Sequence, residues 1–233
     1  MARFYNRLMR RIALLLLLFP ACALADEDAT LLGAGIRTRP AYDGSRSQRT
    51  DLVPIVSYYG TPWFVRSTQG VLEGGARFEV TKGATLGAQI AYEAGPRSEE
   101  TQASLGVHAD FEGKIGPAPY LLVARLRERF AGEGGRQLDL RLTVGVYKSG
   151  PLSAGVYGQT TWSSAGWTWD YYAVHDSGFL IGSLGVLGGY ELGPRWVALG
   201  SVEVGRLAHM VAASPVVQQR STFYASIGLA RKF

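Results

Sequence analysis

What most narrows the fold of this chain is a strict alternation of apolar and polar residues, sustained over stretches longer than an ordinary soluble strand. In Leu138-Asp139-Leu140-Arg141-Leu142-Thr143-Val144-Gly145-Val146 every even position is apolar and every odd one is polar or glycine. A strand alternates its faces with period two, so such a run gathers its apolar side chains on one side, whereas a helix would scatter them. Tyr120, Leu122, Ala124 and Leu126 stand against Arg125, Arg127 and Arg129 in the same way. Leu105, Val107, Ala109 and Phe111 stand against Gly106, His108, Asp110 and Glu112. Leu86-Gly87-Ala88-Gln89-Ile90-Ala91-Tyr92 repeats the pattern with small residues on the polar face.

Marking every such run predicts about 12 strands, near 30–38, 51–59, 63–69, 71–81, 84–93, 102–112, 119–130, 137–147, 152–161, 178–190, 195–207 and 220–233. A soluble, exported β-sandwich would also alternate, but its strands average about five or six residues. Most of these reach about 9–13, enough to cross a bilayer at a tilt. Beyond the N-terminal segment no apolar run approaches the roughly 20 residues of a spanning helix. A membrane-embedded chain of strands must close on itself, because only helices and closed barrels satisfy every backbone group in lipid.

The connections alternate short and long, as periplasmic turns and outer loops do in outer-membrane barrels. Thr61-Pro62, Lys82-Gly83, Gly113-Lys114-Ile115-Gly116-Pro117, Lys148-Ser149-Gly150-Pro151 and Leu192-Gly193-Pro194 are short, with generic Gly, Pro and Lys. Between them come 39–50, 94–101, 131–136, 162–177 and 208–219; the connection at Gln69-Gly70 breaks the rule by being tight. An even strand number leaves both termini on the periplasmic side.

The N-terminus reads as a cleavable signal peptide. Arg3, Arg7, Arg10 and Arg11 precede an apolar run from Ile12 to Phe19 and the small-x-small sequence Ala23-Leu24-Ala25, which sets the cleavage junction between Ala25 and Asp26. The domains expected are therefore 1–25 as signal peptide and 26–233 as barrel. Cys22, the sole cysteine, falls in the removed segment; Pro20 fits poorly with a lipoprotein cysteine. A lone cysteine excludes a disulfide framework and a thiolate metal site. The net charge of +5 suggests nucleic acid until the four signal-peptide arginines are set aside; 20 basic and 19 acidic residues then remain, a net of +1. No nucleic-acid partner is expected.

At the chain end, Ser226-x-Gly228 followed by terminal Phe233 resembles the signal read by the outer-membrane assembly machinery. The last strand pair extends the likeness. Ser214-Pro215-Val216-Val217 and then Gly228-Leu229-Ala230-Arg231-Lys232-Phe233 resemble the MipA/OmpV family, with Arg231 where that family has tyrosine. Pro40-Ala41-Tyr42-Asp43-Gly44-Ser45, the following Pro54, and Tyr171-Tyr172-Ala173-Val174 are similar to its first outer loop, its second strand and a segment of its long loop. The resemblance implies an outer-membrane scaffold or surface protein, linked in that family to a murein-degrading transglycosylase, to adhesion and to stress responses. It carries no catalytic residues over.

On this strand assignment the lumen holds Glu73, Arg77, Glu79, Gln89, Glu93, His108, Asp110, Glu112, Arg125, Arg127, Arg129, Asp139, Arg141 and Glu203. If 131–136 closes a hairpin, Arg129 faces Asp139 and Arg127 faces Arg141. Such a set is either an ion-paired interior or the lining of a narrow, weakly anion-preferring pore along Arg125, Arg127, Arg129 and Arg141. Outer-membrane lipases use serine and histidine, so His175 with Asp176 and Ser177, or His209 with Ser214, are the enzyme candidates. Adjacent residues on an extended chain point to opposite sides, which suits a triad poorly. Three scattered histidines have no metal-ligand spacing, and there is no phosphate-binding loop. No catalytic residue, metal or cofactor is expected. Trp162, Trp167, Trp169, Tyr171 and Tyr172 crowd one long loop, as an interfacial belt or a binding surface.

Overall fold

The computed structural model describes residues 30–68, 71–94, 101–130 and 134–233; the expected signal junction at Ala25 and Asp26 lies outside them, as does the side chain of Glu93. Twelve strands form the wall: β1 (Leu31–Pro40), β2 (Gln48–Tyr59), β3 (Trp63–Thr68), β4 (Val71–Thr81), β5 (Ala84–Ala94), β6 (Thr101–Ile115), β7 (Ala118–Arg129), β8 (Gly135–Ser149), β9 (Leu152–Ser163), β10 (Gly178–Glu191), β11 (Trp196–Leu207) and β12 (Ser221–Lys232). Each pairs antiparallel with the next, and β1 pairs with β12 from Leu31↔Lys232 to Thr38↔Ala225, closing the barrel.

Alternation sorts the side chains as the sequence implies. Leu52, Leu184, Ile227 and Ile90 point outward at 80%, 69%, 63% and 62% exposure. In water that surface would be an aggregation liability, and in lipid it is what the barrel needs. On β11 the outward positions run from Trp196 through Ala198, Gly200, Val202 and Val204 to Arg206. Ten residues at about 3.4 Å each, tilted about 45°, rise about 24 Å, close to the apolar band of an outer-membrane barrel. Tyr58, Trp63, Tyr190, Trp196 and Phe233 stand exposed at the end with the short turns, as an interfacial girdle does. By the usual rule this turn end, which also holds Thr30 and Phe233, faces the periplasm and the loop end faces outward.

Two features of the loop end differ from the sequence reading. Arg129 pairs with Gly135, Arg127 with Gln137 and Arg125 with Asp139, in place of Arg129 with Asp139 and Arg127 with Arg141. The register moves by four residues, an even number, so no side chain changes face. The cause is an early start to β8. Gly134 turns the chain at φ +72°, and Gly135 lies so near the following loop that a Cβ there would sit 2.7 Å from the backbone nitrogen of Trp167.

The stretch 162–177 is likewise not simply a loop. β9 continues to Ser163, and α1 (Ala165–Tyr172) follows, ended by Ala173 in the left-handed region at φ 54° with its N–H on the Thr168 and Trp169 carbonyls. Trp167 and Tyr172 turn inward against Leu180, Leu207 and Val211, the last from the short α2 (His209–Ala212). These aromatics build a buried cap over the loop end, and of the helix's rings only Trp169 is exposed, so the belt reading fails for most of the cluster.

One seam is thin. Among the described residues β2 pairs with β3 only at Ser57↔Arg66, Tyr58↔Val65 and Tyr59↔Phe64. Beyond these the Val56 N–H reaches the Ser67 hydroxyl at 2.9 Å. Two residues further along the same edge stands Pro54, whose missing N–H is the one that would point across the unpaired seam.

Arginine placed at Val186, mid-strand on the lipid face of β10, is expected to cost about 2–4 kcal/mol of stability in vesicles. Urea titration of the refolded barrel, with the boiled and unboiled gel shift as the check that it has folded, measures this. An unchanged midpoint would show that the face does not contact lipid.

Candidate functional site

The lumen at the loop end is filled by charge. Glu73, on β4 and 1% exposed, is the junction. It accepts from the Arg66 Nε–H, from Arg125 Nη1 at 3.0 and 3.2 Å, and from Gln89 Nε2 at 2.9 Å. Arg66 also donates to Asp110 at 3.2 Å, with His108 Nε2 3.9 Å from the same carboxylate and edge-on to Phe64. Alternate residues of β7 climb toward the cap, each with its own acid. Above Arg125, Arg127 donates to Asp139 at 2.7 Å, and that carboxylate also accepts from Thr161 at 2.7 Å. Above that, Arg129 donates to Asp170 of α1 at 2.8 Å and lies over the rings of Tyr171 and Trp167. Arg66, Arg125, Arg127 and Arg129 thus meet Glu73, Asp110, Asp139 and Asp170 with their charges balanced.

The cap joins this network to two further loops. Tyr42 donates to the Val216 carbonyl at 3.0 Å, the Gly44 carbonyl accepts the N–H groups of Gln218 and Gln219, and the Ser214 hydroxyl donates to the Tyr172 carbonyl. Asp43 accepts from Tyr224; burial raises its carboxyl above the usual carboxylate range, although that hydrogen bond acts the other way. Burial likewise pushes the Tyr172 phenol up.

Across the lumen from Glu73 lies a cavity of about 340 Å³, bordered by Arg37, Val53, Ile55, Arg141, Leu187 and Glu203. Arg141 lies 3.9 Å from the centre of the Tyr157 ring, whose hydroxyl donates to Glu203 at 2.7 Å. Arg39 and Arg49 both hold Asp51, at 2.6 and 2.7 Å, with Arg37 3.8 Å away.

Of the charges expected inside, Glu73, Asp110, Arg125, Arg127, Arg129, Asp139 and Glu203 are buried there, with Gln89 and His108. Arg141 and Arg77 are half-buried, Arg77 over the Tyr59 ring; Glu79 and Glu112 share the inward parity but stand exposed at the turn end. The expected hairpin partners are replaced: Arg127, not Arg129, holds Asp139, because the diagonal neighbour is the one within reach. Arg66, Asp51 and Asp170 were not singled out. In Trp63-Phe64-Val65-Arg66 the inward Phe64 hides the alternation that would have marked Arg66. The enzyme candidates do not assemble: His175 stacks on Trp169 at 4.0 Å, and among the described residues no hydrogen bond joins a histidine to a serine. Ser214 and Gly228 serve packing; a Cβ on Gly228 would meet Ile55 at 2.4 Å. Pro215 stays in the cap loop and Phe233 at the turn end, under the Arg231 guanidinium.

Replacing Glu73 with glutamine strands the buried Arg125 guanidinium, leaves Arg66 with Asp110 alone, and is expected to cost about 3–5 kcal/mol. Glu79→Gln, at an exposed position, should leave the urea midpoint unchanged. Equal effects of the two would show a lumen wet enough to screen its charges.

Compared with known proteins, no curated protein sequence matches this chain. A solved NanC porin is 13% identical, with 88% of this chain and 100% of that one covered and a TM-score of 0.55. The translocator domain of the autotransporter NalP from Neisseria meningitidis is 12% identical, with 100% and 96% covered and a TM-score of 0.52. At such identities the likeness is one of fold. The family model described as MltA-interacting protein MipA matches residues 32–233, the whole barrel. The closed barrel together with the family match places this protein in the outer membrane of a Gram-negative bacterium, and the chain belongs to the MipA family.

Proposed function

We propose that this barrel is a non-enzymatic scaffold of the outer membrane, closed to bulk solutes, that holds a murein-remodelling enzyme at its periplasmic end. The observation that carries the reading is the Glu73 junction beneath the α1 cap. Two arginines and a glutamine converge on one buried carboxylate, two further arginine–carboxylate pairs stack above it, and an aromatic cluster covers them. A conducting pore lined by Arg125, Arg127 and Arg129 would leave these guanidinium groups facing water, and here each is held by an acid. Arg141 is the exception, and it faces the cavity across the lumen from Glu73. Stability bought by such a network serves a rigid wall better than a channel.

The family description, which names an interaction with MltA, supports a murein transglycosylase as the partner. The surface suited to it is the turn end. Lys82, Lys114, Lys148 and Arg195 stand exposed there, one beside each of four turns, with Glu112 and Glu191 among them. A basic rim of this kind steers an acidic surface and sets specificity more than affinity.

In planar bilayers the purified protein is expected to give no single-channel openings, and in detergent it should capture a purified lytic transglycosylase. Reversing Lys82, Lys114, Lys148 and Arg195 to glutamate should weaken capture at least tenfold and steepen the loss at low salt. Steady ohmic conductance without capture would overturn the scaffold in favour of a pore, and lipid hydrolysis lost on His175→Ala would overturn it in favour of an enzyme.

A further inference from the structure

The cavity beside the thin seam has the character of a binding site. It is bordered by β1, β2, β3, β8, β9, β10, β11 and β12, away from the Glu73 junction, and its volume of about 340 Å³ lies at the lower end of the roughly 300–1,000 Å³ of small-molecule pockets. Its lining combines the apolar Val53, Ile55, Leu187 and Leu199 with Arg37, Arg141, Tyr157, Glu203 and Tyr224. Arg141 differs from the arginines of the network. Among the described residues no carboxylate lies within ion-pair distance of it, and its guanidinium rests on the Tyr157 ring. The hydroxyl of that ring is already engaged by Glu203, so the fork of Arg141 keeps donors for an outside acceptor.

The cap covers the loop end, and toward the turn end the inward Val197 and Ala230 are 3% and 0% exposed. Among the described residues the wall is thinnest at β2 and β3, which pair at three positions where β1 and β2 pair at ten. Val53, Pro54, Ser67 and Thr68, the residues on either side of that seam, also border the cavity. Pro54 donates nothing across the seam, so opening it there breaks no backbone hydrogen bond from that residue. A solute reaching the cavity between β2 and β3 comes from the lipid, not from water.

We propose that the cavity binds a single-chain fatty carboxylate, taken up sideways from the membrane through the β2–β3 seam. The carboxylate pairs with the planar fork of Arg141, which suits two oxygens better than a point charge would. The chain lies along Val53, Ile55, Leu187 and Leu199. The small volume excludes a two-chain lipid, and the apolar wall disfavours a hydrophilic anion. Ser201 and Ser226, whose hydroxyls meet at 2.8 Å on the wall, leave the room that a larger residue would fill.

The test uses the full barrel refolded in amphipol, with dodecanoate displacing the fluorescent fatty acid cis-parinaric acid. Dodecanoate is expected to bind, with acetate and dodecanol each at least tenfold weaker. Arg141→Gln should weaken dodecanoate about tenfold, the worth of a charge-assisted pair, and Ser201→Phe should abolish binding, both with the heat-dependent gel shift retained. Val56→Cys combined with Ser67→Cys, oxidised to pin the seam, should slow uptake at least tenfold and recover on reduction. Dodecanoate affinity unchanged in Arg141→Gln or Ser201→Phe would overturn the site, and uptake unaffected by the cross-link would overturn the route.

Discussion

Everything in this molecule follows from the requirement that no backbone N–H or C=O be left unpaired in lipid. The β1–β12 register meets it by joining the first and last strands, and once the wall is closed every residue of the wall has one of two surroundings. Outward positions must be apolar for about 24 Å of height, and β11, from Trp196 to Arg206, shows the rule in a single strand. Inward positions take what is left, which in this chain is charge. A soluble domain of this length would build an apolar core; here the apolar side chains are spent on the outside, and the inside is held by ion pairs.

Such an interior is stable only when it is complete. Desolvating a guanidinium or a carboxylate costs several kcal/mol, and each pair offsets this only with good geometry and further hydrogen bonds. Glu73 has them from three donors and Asp139 from Arg127 and Thr161. The arrangement also couples distant parts of the chain. Through Arg129 and Asp170 the charged stack on β7 holds α1 in place, and through Ser214 and Tyr172 the helix in turn holds the last loop. The cap is thus the upper storey of the lumenal network, which explains why a segment of eight residues with weak amphipathic character is helical at all: its burial, not its propensity, decides.

The wall was legible in the sequence and the interior only in part. Alternation needs no knowledge of partners, so all 12 strands and the inward face of β7 could be read from residues two apart. The partners could not, because Arg66 with Asp110 and Glu73 with Arg125 meet across the lumen over 44 and 52 residues of chain. Which strands face each other there depends on closure and tilt, and neither has a local signature. The β7–β8 register failed for a related reason: an early glycine turn moved it by four residues, and alternation cannot distinguish even shifts. Arg66 is concealed by Phe64, an apolar residue of the same inward parity whose ring meets His108 edge-to-face.

The same constraint makes the β2–β3 seam informative. A barrel in lipid should avoid an unpaired edge, yet β3 stops after six residues while β2 continues to Gln48. The chain limits the cost locally: the Ser67 hydroxyl takes the Val56 N–H, and at the next position of that edge proline removes the donor altogether. Removing a donor is a different solution from pairing it. A paired seam would be stronger and closed, whereas a proline leaves the wall satisfied and separable. Its position beside the cavity, where Arg141 rests on the Tyr157 ring with no carboxylate within ion-pair distance among the described residues, ties the thin line of the wall to open space in the interior.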